Sequence, residues 1–292
     1  MVITNLIGGL GNQMFQYAVG RAFSLKSGIS LRLDISGFAN YGLHQGFELQ
    51  RIFNTTAEIA NESDVHSILG WQSSPIIRRI VSRPSMVAFR RKGFVVEPHF
   101  QYWKGIRNVP PECYLLGYWQ SENYFSEVAT QIRSDFSFQL PLKQENAELA
   151  NQIARTSAVS LHVRRGDYVT NLNAAATYKM CSIDYYNSSI RHVAARVHKP
   201  YFYIFSDDIN WAKNNITIDF PCRYIDHNEG EESYNEMILM SLCQHHNIAN
   251  SSYSWWGAIL NPNVKKIVVA PRFWFSKEIN TQDLIPGSWA TL

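Results

Sequence analysis

An alternating order of strands and helices predicts an α/β protein with parallel, doubly wound sheets. The apolar, largely β-branched segment 2–7 is followed by three glycines, by a helical pattern over 12–26 and by a second strand at 29–33. This is a βαβ unit with a glycine turn at the carboxyl end of its first strand. Alternation returns after Thr156 and continues to Ala270.

The second half of the chain supplies more of these units. Its predicted strands cover 158–163, 201–205, 222–225, 246–249 and 266–270, and its predicted helices cover 183–197, 231–243 and 254–260. A helical pattern over 121–154 is broken by Pro141, and the polar stretch 141–157 indicates an interdomain connection. We therefore expect one domain at 1–150 and another at 151–292.

Composition narrows the class of protein. The 292 residues include 46% apolar residues, and 27 Lys and Arg stand against 24 Asp and Glu. That composition is typical of a globular protein, and a formal charge of +3 is too small to favour nucleic acid as the main partner. The four cysteines form no CxxC pair, no signal peptide precedes the first strand, and no apolar run reaches the length of a membrane span. We expect a cytoplasmic protein with free thiols.

The first candidate for chemistry is the glycine turn. Gly8, Gly9 and Gly11 let the backbone approach a ligand closely, and the N-terminus of the following helix favours anions. The full dinucleotide-binding pattern is absent, because Met14 stands where its third glycine would be. Asn12 provides a polar side chain toward a ligand. The alternative is a tight turn that Asn12 caps.

A second candidate ends the strand 158–163. His162 and Arg164 alternate onto one side of the extended chain, so both can reach one ligand. Arginine is the residue that binds phosphate with two parallel hydrogen bonds. For Arg165 and Asp167 the alternative is a surface salt bridge between them.

Two further motifs follow predicted strands. Asp207 and Asp208 come after the strand 201–205 and suit ribose hydroxyls or a metal, or the cap of the next helix. Residues 250–257, which read NSSYSWWG, open a helix, where hydroxyls and unpaired backbone N–H groups suit phosphate oxygens. The alternative for this segment is a serine cap with a tryptophan staple.

Taken in order, the motifs resemble those of the bacterial α-1,2-fucosyltransferases of glycosyltransferase family 11. The segments that carry the resemblance are GGLGNQMFQY at 8–17, HVRRGDY at 162–168, FSDD at 205–208 and ANSSYSWWGA at 249–258. The resemblance implies a GT-B fold, in which two Rossmann-like domains face each other across a cleft. It places the acceptor side in 1–150 and the GDP-fucose site in 151–292.

The activity that this family implies is the inverting transfer of L-fucose from GDP-β-L-fucose to the 2-hydroxyl of a terminal β-galactoside in a cell-surface glycan. The resemblance also implies that the reaction needs no metal cofactor. Asp207 and Asp208 also lack the DxD spacing of metal-dependent enzymes. Alternatives are the transfer of fucose or another GDP-sugar to a different hydroxyl, and a non-catalytic protein that binds nucleotide-sugars or glycans.

The resemblance also assigns roles to residues. Arg164 matches the arginine that neutralises the β-phosphate as GDP leaves, Asn12 matches an asparagine that faces the reacting centre, and Glu236 matches an acidic residue that binds guanine. Asp167 is a candidate for the catalytic base. The expected donor-binding residues are His162, Arg164, Arg165, Asp207, Asp208, Glu236, Ser251, Ser252, Tyr253 and Ser254. The expected acceptor-side residues are Gly11, Asn12 and Gln13.

A basic stretch lies outside these motifs. Residues 78–92 carry six Arg and Lys among Ile, Val, Met and Phe, and Pro84 divides them. Such a segment suits an anionic membrane surface, where each basic residue contributes about 1 kcal/mol. A solvated, charged helix face is the commoner explanation of such a segment, and peripheral contact with the inner membrane is the alternative.

Overall fold

The computed structural model describes residues 1–39, 42 and 44–292, without the side chains of residues 167, 173 and 174. The chain forms two compact units. Unit 1 comprises residues 1–139 and 282–284, and unit 2 comprises residues 140–281 and 285–292. Each unit is an α/β layer structure with a parallel sheet, so the predicted fold class is confirmed.

Unit 1 contains a five-stranded parallel sheet in the order β3-β2-β1-β5-β4. Its strands are β1 (Val2–Asn5), β2 (Leu31–Asp34), β3 (Glu58–Ile59), β4 (Phe94–Val96) and β5 (Cys113–Leu116). Its helices are α1 (Leu10–Ser27), α2 (Leu49–Ile52), α3 (Glu62–Leu69), α4 (Pro75–Val81) and α5 (Ala129–Asp135). Short 3-10 helices cover Ser36–Phe38, Gly70–Ser73, Pro84–Phe89, Lys104–Asn108, Glu122–Tyr124 and Ser126–Val128.

Unit 2 contains a six-stranded parallel sheet in the order β11-β10-β9-β6-β7-β8. Its strands are β6 (Ser157–Val163), β7 (Pro200–Ser206), β8 (Cys222–Ile225), β9 (His245–Asn247), β10 (Val268–Ala270) and β11 (Ala290–Thr291). Its helices are α6 (Gln144–Ala154), α7 (Gly166–Thr170), α8 (Leu172–Thr177), α9 (Ile183–Ala194), α10 (Ile209–Asn215), α11 (Tyr234–Leu242) and α12 (Ser252–Leu260), with a 3-10 turn at Gly230–Glu232.

Helices cover both faces of the sheet in unit 2. Val159, Leu161 and Val163 of β6 point to the face that α9 covers, where they join one buried apolar cluster. Ala158 points to the opposite face, where α6 and α11 complete a second cluster. His162 has the same parity as Ala158, so this alternation directs it toward the α11 face. The alternation of side chains along β6 thus determines which face of the sheet His162 points to.

The division between the units falls between Gln139 and Leu140, earlier than the boundary expected at residue 150. The polar stretch 141–157 is not a linker, because most of it forms α6. Leu149 and Ile153 of that helix are fully buried in unit 2. The pattern over 121–154 therefore belongs to both units, with α5 in unit 1 and α6 in unit 2.

All four cysteines, Cys113, Cys181, Cys222 and Cys243, are free thiols. Burial raises the pKa of Cys113 to about 12 and that of Cys181 to about 11, so neither is a reactive thiolate at neutral pH. In the part of the chain that is described, the helices are too short or too polar to cross a bilayer.

A close approach between α1 and the sheet of unit 1 gives a stability test. A Cβ atom at Gly20 would lie 2.1 Å from Thr4 Oγ1 and 2.8 Å from Leu31 Cδ1. We expect Gly20→Ala to destabilise the protein by about 1–2 kcal/mol, because overpacking outweighs the better helix propensity of alanine. The control is Gly37→Ala, whose new methyl would meet its nearest neighbours at 3.8 and 3.9 Å. Equal urea midpoints for the two variants would contradict this packing.

Candidate functional site

Two arginine–aspartate pairs join the carboxyl ends of β6 and β7. Arg164 Nη1 lies 3.0 Å from Asp207 Oδ2, and Arg165 Nε lies 3.3 Å from Asp208 Oδ2. The main-chain N–H of Arg165 also donates to Asp207 Oδ1 at 2.8 Å. Parallel pairing of β6 with β7 places Val163 opposite Ser206, so the two motifs begin side by side. Arg165 thus pairs with Asp208. The alternative pair with Asp167 stays untested, because the side chain of that residue is outside the described part of the chain.

Local chemistry fixes the positions of both aspartates. Gly166 stands against Asp207, because a Cβ at this position would lie 2.9 Å from Asp207 Oδ2. Asp208 caps α10, since its side chain accepts the main-chain N–H of Trp211 at 3.1 Å. The guanidinium carbon of Arg165 lies 4.5 Å from the centre of the Trp211 ring. The cap interpretation of Asp208 is therefore confirmed, and the same residue also holds an arginine.

Glu236 belongs to the same electrostatic cluster. It lies in the first turn of α11 and is half-buried. Burial, together with the negative charge of Asp207, raises the pKa of Glu236 to about 8, although Arg164 acts in the opposite direction. The carboxyl group is therefore largely protonated at neutral pH in the free protein.

His162 is buried beneath these pairs. Burial, and next to it the charge of Arg164, lowers its pKa to about 3, so the imidazole is neutral. Its ring centre lies 6.1 Å from that of Tyr253, and its Nδ1 atom has no hydrogen-bond partner among the described residues. A neutral imidazole adds no charge to the site, but it offers one hydrogen-bonding atom.

The serine-rich motif forms the N-terminus of α12. Ser251 is the N-cap and accepts the main-chain N–H of Tyr253 at 3.3 Å, while buried Ser254 donates to the Ser251 carbonyl at 3.3 Å. The Tyr253 hydroxyl donates to the Ser233 carbonyl at 2.5 Å and accepts the main-chain N–H of Met237 at 3.0 Å. Tyr253 thus braces α11, and Ser252 is the half-buried hydroxyl at the first helical position.

The two tryptophans after this motif, Trp255 and Trp256, are fully buried and belong to the core. Asn250 holds the start of the motif in place, because its amide donates to the carbonyls of Lys179 and Trp274 at 2.7 and 2.9 Å. The side chain of Asp167 lies outside the described part of the chain, so its expected role as base stays a prediction.

In unit 1 the glycine turn presents Asn12 in the first turn of α1. Gly8 adopts a φ of +81°, and a Cβ there would lie 2.6 Å from Asn12 Nδ2, so this position requires glycine. Asn12 Oδ1 accepts from Gln120 Nε2 at 2.7 Å. Its Nδ2 group has no partner within the described residues, and the side chain is only half-buried.

Two glutamines of α1, Gln13 and Gln16, form structural hydrogen bonds. Gln13 is fully buried; its amide donates to the carbonyls of Gly8 and Gly46 at 3.0 and 2.7 Å and accepts the N–H of Glu48 at 3.0 Å. These bonds use both N–H groups of the Gln13 amide and one lone pair of its buried oxygen, which gives the residue a structural role; its expected acceptor-side role stays a prediction. Gln16, which sequence reasoning did not single out, accepts the Ile7 N–H at 2.9 Å and donates to the Gly117 carbonyl at 3.2 Å.

Sequence reasoning also missed Glu97, which follows β4. Its carboxylate accepts the main-chain N–H groups of Tyr118 and Trp119 at 2.7 and 3.1 Å. Burial raises its pKa to about 7 despite these two bonds. No short motif marks this glutamate, and only its place at the end of an apolar strand could have drawn attention to it. Within the described residues, no three His, Cys, Asp or Glu side chains converge as metal ligands would.

Comparisons with known proteins concern the chain as a whole. The sequence pattern of glycosyl transferase family 11 matches residues 90–292. An alpha-1,2-colitosyltransferase of Escherichia coli is 36% identical over 298 residues, which cover 100% of this chain and 99% of the relative. The O-antigen biosynthesis glycosyltransferase WbnK of Escherichia coli is 34% identical over 309 residues, with coverages of 98% and 99%.

Among solved structures, the fucosyltransferase NodZ from Bradyrhizobium matches with a TM-score of 0.54 at 13% identity, over 89% of this chain and 92% of that chain. At this level of identity the likeness extends to the fold alone.

The raised pKa of Glu236 has a consequence for stability. Since its pKa is about 8 in the folded protein and near 4.5 when unperturbed, the folded state keeps a proton that the unfolded state loses between these values. The free energy of unfolding therefore falls as pH rises through this window. We expect Glu236→Gln to remove this part of the slope, measured by urea unfolding across the window. The exposed Glu148→Gln is the control, and parallel profiles for wild type and Glu236→Gln would refute the assignment.

Proposed function

The chain belongs to glycosyltransferase family 11, whose members use a nucleotide-sugar donor, and we propose that it transfers an L-fucose-type sugar from GDP to the 2-hydroxyl of a terminal β-galactoside. The glycan would be a bacterial cell-surface polysaccharide such as an O-antigen, because a relative with 34% identity is named for O-antigen biosynthesis. The transfer is proposed to invert the configuration at the anomeric carbon. We place the donor in unit 2 and the acceptor in unit 1.

The observation that supports this proposal best is the pair of arginines at the end of β6. Cleavage of the bond between sugar and diphosphate leaves negative charge on the β-phosphate, and preorganised donors stabilise that charge. Asp207 and Asp208 hold the guanidinium groups of Arg164 and Arg165 in fixed positions before a ligand arrives. The N-terminus of α12, with Ser251 as its cap, suits the same anion.

The other donor contacts follow from this placement. We assign Glu236 to guanine, whose N1–H and amino group suit a carboxylate, so that binding would require Glu236 to lose the proton that it holds in the free protein. His162 and Ser252 complete the donor side. Asn12 is assigned to the acceptor side, where its Nδ2 group can donate to a sugar hydroxyl.

Two sugars, L-fucose and colitose, are candidates for the transferred group. GDP-L-fucose is our first candidate, because the motifs of the chain resemble those of the α-1,2-fucosyltransferases. Colitose is the second candidate, because a relative at 36% identity over the whole chain is named as an alpha-1,2-colitosyltransferase. Colitose is fucose without its 3-hydroxyl. A site that hydrogen-bonds this hydroxyl would discriminate against colitose by orders of magnitude, whereas an apolar site would accept both sugars.

Metal-independence is part of the proposal. In the described structure Asp207 and Asp208 are neutralised by arginines, and the arginines are the groups that we assign to the leaving diphosphate. A divalent ion would compete with Arg164 and Arg165 for the same carboxylates.

The proposed activity is tested by incubating the purified protein with GDP-fucose, GDP-colitose, GDP-mannose or UDP-galactose and a β-galactoside, with and without EDTA. We expect GDP release and a 1,2-linked product from GDP-fucose, from GDP-colitose or from both, unaffected by EDTA. Arg164→Lys should lower turnover by about 10²–10³-fold, because lysine loses the two-pronged contact. The control is Arg191→Lys on the exposed surface of α9. Transfer from UDP-galactose alone, or activity that EDTA abolishes and manganese restores, would overturn the proposal.

We also propose that unit 1 contacts an anionic membrane through a basic apolar surface, defined as the exposed residues of 71–92. This region has large apolar side chains that are about half-exposed or more, namely Trp71, Ile76, Ile80, Val87 and Phe89. Residues 65–96 contain six Arg and Lys and no Asp or Glu. Exposed aromatic residues beside basic residues are typical of interfacial segments.

Internal contacts decide which of the six cations face outward. Arg78 is half-buried and bonds to Asp34, and Arg90 donates to the carbonyls of Val81, Ser82 and Arg83. Gln72 joins the two apolar ends of the surface, because it donates to the Phe89 carbonyl at 2.7 Å and accepts the Arg91 N–H at 3.1 Å. The exposed cations are Arg79, Arg83, Arg91 and Lys92.

Vesicle sedimentation tests this surface. We expect binding to vesicles rich in phosphatidylglycerol at low salt, and weak binding to pure phosphatidylcholine, since each outward cation adds about 1 kcal/mol that salt screens. Replacing Arg79 and Arg83 with Gln, or Trp71 and Phe89 with Ser, should weaken the binding. Val264→Ser, which removes an exposed apolar residue of unit 2, is the control. Equal binding to both lipids, or no effect of either double replacement, would disprove membrane contact.

A further inference from the structure

Glu97 lies at the same edge of the unit 1 sheet as the glycine turn. All five strands are parallel, so their carboxyl ends share one edge. Glu97 directly follows β4, and the main-chain N–H of Glu97 donates to Leu116 of the neighbouring β5 at 2.8 Å. The glycine turn follows β1, on the other side of β5. Three adjacent strands therefore lead to this edge: β4 to the carboxylate of Glu97, β5 to the segment with the Gln120 amide, and β1 to the glycine turn.

The segment 117–120 ties these parts together. Gly117 makes room for the carboxylate, because a Cβ there would lie 2.4 Å from Glu97 Cβ and 2.7 Å from Glu97 Oε2. The Gly117 carbonyl accepts from Gln16, and Gln120 donates to Asn12. The same segment that orients Glu97 therefore also orients Asn12.

Trp119 adopts a conformation that this arrangement requires. Its φ is +56°, a left-handed conformation that bulky residues seldom adopt. In that conformation its main-chain N–H points at Glu97 Oε1, while the N–H of Tyr118 points at Oε2. Strained backbone of this kind is concentrated at functional sites, where the surrounding structure imposes it.

Glu97 is a half-buried acid without a cation as partner. Its carboxylate forms no ion pair with Lys, Arg or His within the described ranges, and only two backbone N–H groups bind it. Each carboxylate oxygen can accept a second hydrogen bond, so both retain a lone pair for a further donor. A carboxylate that is partly removed from water and has no cation beside it is costly to the fold, and such groups are typical of catalytic sites.

We propose that Glu97 is the general base of the reaction, which accepts a hydrogen bond from the acceptor hydroxyl and removes its proton. This inference rests on the proposed function. As the acceptor oxygen bonds to the anomeric carbon of the sugar, the bond from that carbon to the β-phosphate oxygen breaks and its electron pair leaves with GDP. The hydroxyl proton passes to Glu97 and from there to water. Asn12 positions the acceptor through its Nδ2 group.

The titratable groups around Glu97 support this assignment. Burial raises its pKa to about 7, close to the value at which a base is both ionised and strong enough to act. Tyr118 and Tyr124 are the titratable side chains that interact with it, and burial and the charge of Glu97 raise the pKa of both above their usual value near 10. Neither phenol changes charge near neutral pH. Among these three side chains, Glu97 is therefore the one that ionises near pH 7.

The test is the pH dependence of turnover with both substrates saturating, in wild type, Glu97→Gln, Glu97→Asp and the exposed control Glu62→Gln. Saturating donor removes the ionisation of Glu236 from kcat, because kcat reports only groups of the bound complex. Wild-type kcat should be half-maximal at about pH 7 and level off above it. Glu97→Gln should lose about 10²–10⁴-fold in kcat and show a flat profile. GDP affinity, measured by calorimetry, should stay within about threefold of wild type.

The outcomes separate the base from the proposed function. A Glu97→Gln variant that folds and keeps kcat within about threefold of wild type overturns the assignment of Glu97. So does a wild-type kcat that is flat from about pH 5.5 to 8, which needs no variant and decides the question if Glu97→Gln fails to fold. If the wild-type protein transfers no sugar from any GDP donor to a β-galactoside, the proposed function fails, and the assignment of its base fails with it.

Discussion

The ion pairs between Arg164 and Asp207 and between Arg165 and Asp208 are the constraint on which the donor side depends. At half-buried positions such pairs contribute little to stability, so their main effect is to hold the guanidinium groups in place. They also set the charge of the neighbourhood. A third ionised carboxylate at Glu236 would leave the cluster negative, and the negative charge of Asp207 together with burial favours the protonated form. His162 is neutral as well, so these described side chains carry no net charge before an anion binds.

Two acids in unit 1 show how partners decide the state of a buried carboxyl group. Burial alone would raise the pKa of Asp34, but hydrogen bonds from Ser36 and Tyr114 and the charge of Arg78 lower it. Asp34 ends the second strand, the position at which dinucleotide-binding folds have an acid that binds ribose. Here the Asp34 carboxylate binds the Arg78 guanidinium instead. Glu97 has only two backbone N–H partners, and burial prevails there. The first acid is thus structural, and the second remains available to a substrate.

The sequence predicted the sheets best where apolar runs are long. The seven-residue strands β6 and β7 and the helix α12 lie close to where the pattern placed them, as do the first strand and helix of the chain. The strands of the middle third, β3 to β5, were not predicted, although β8 to β10, which are equally short, were. Short α-helices and 3-10 helices surround β3 to β5, so no regular alternation with long helical patterns marks their positions. The motif at Arg164 was predicted, but the partner of Arg165 was not, since that pair depends on two strands that are distant in sequence and lie side by side. Burial of Gln13 was equally hidden, because its bonds come from main-chain groups distant in sequence.

The charged groups of the two units differ, and the proposed reaction accounts for the difference. Negative charge on a leaving diphosphate is large and lasts until GDP departs, so it requires permanent cations, and arginine remains charged at any physiological pH. A proton from an acceptor hydroxyl needs a partner only as the new bond forms. An acid with an unperturbed pKa would be too weak a base, and one with a pKa well above 7 would already hold a proton. Burial of Glu97 without a cation satisfies this requirement, and a nearby arginine would destroy it by lowering the pKa.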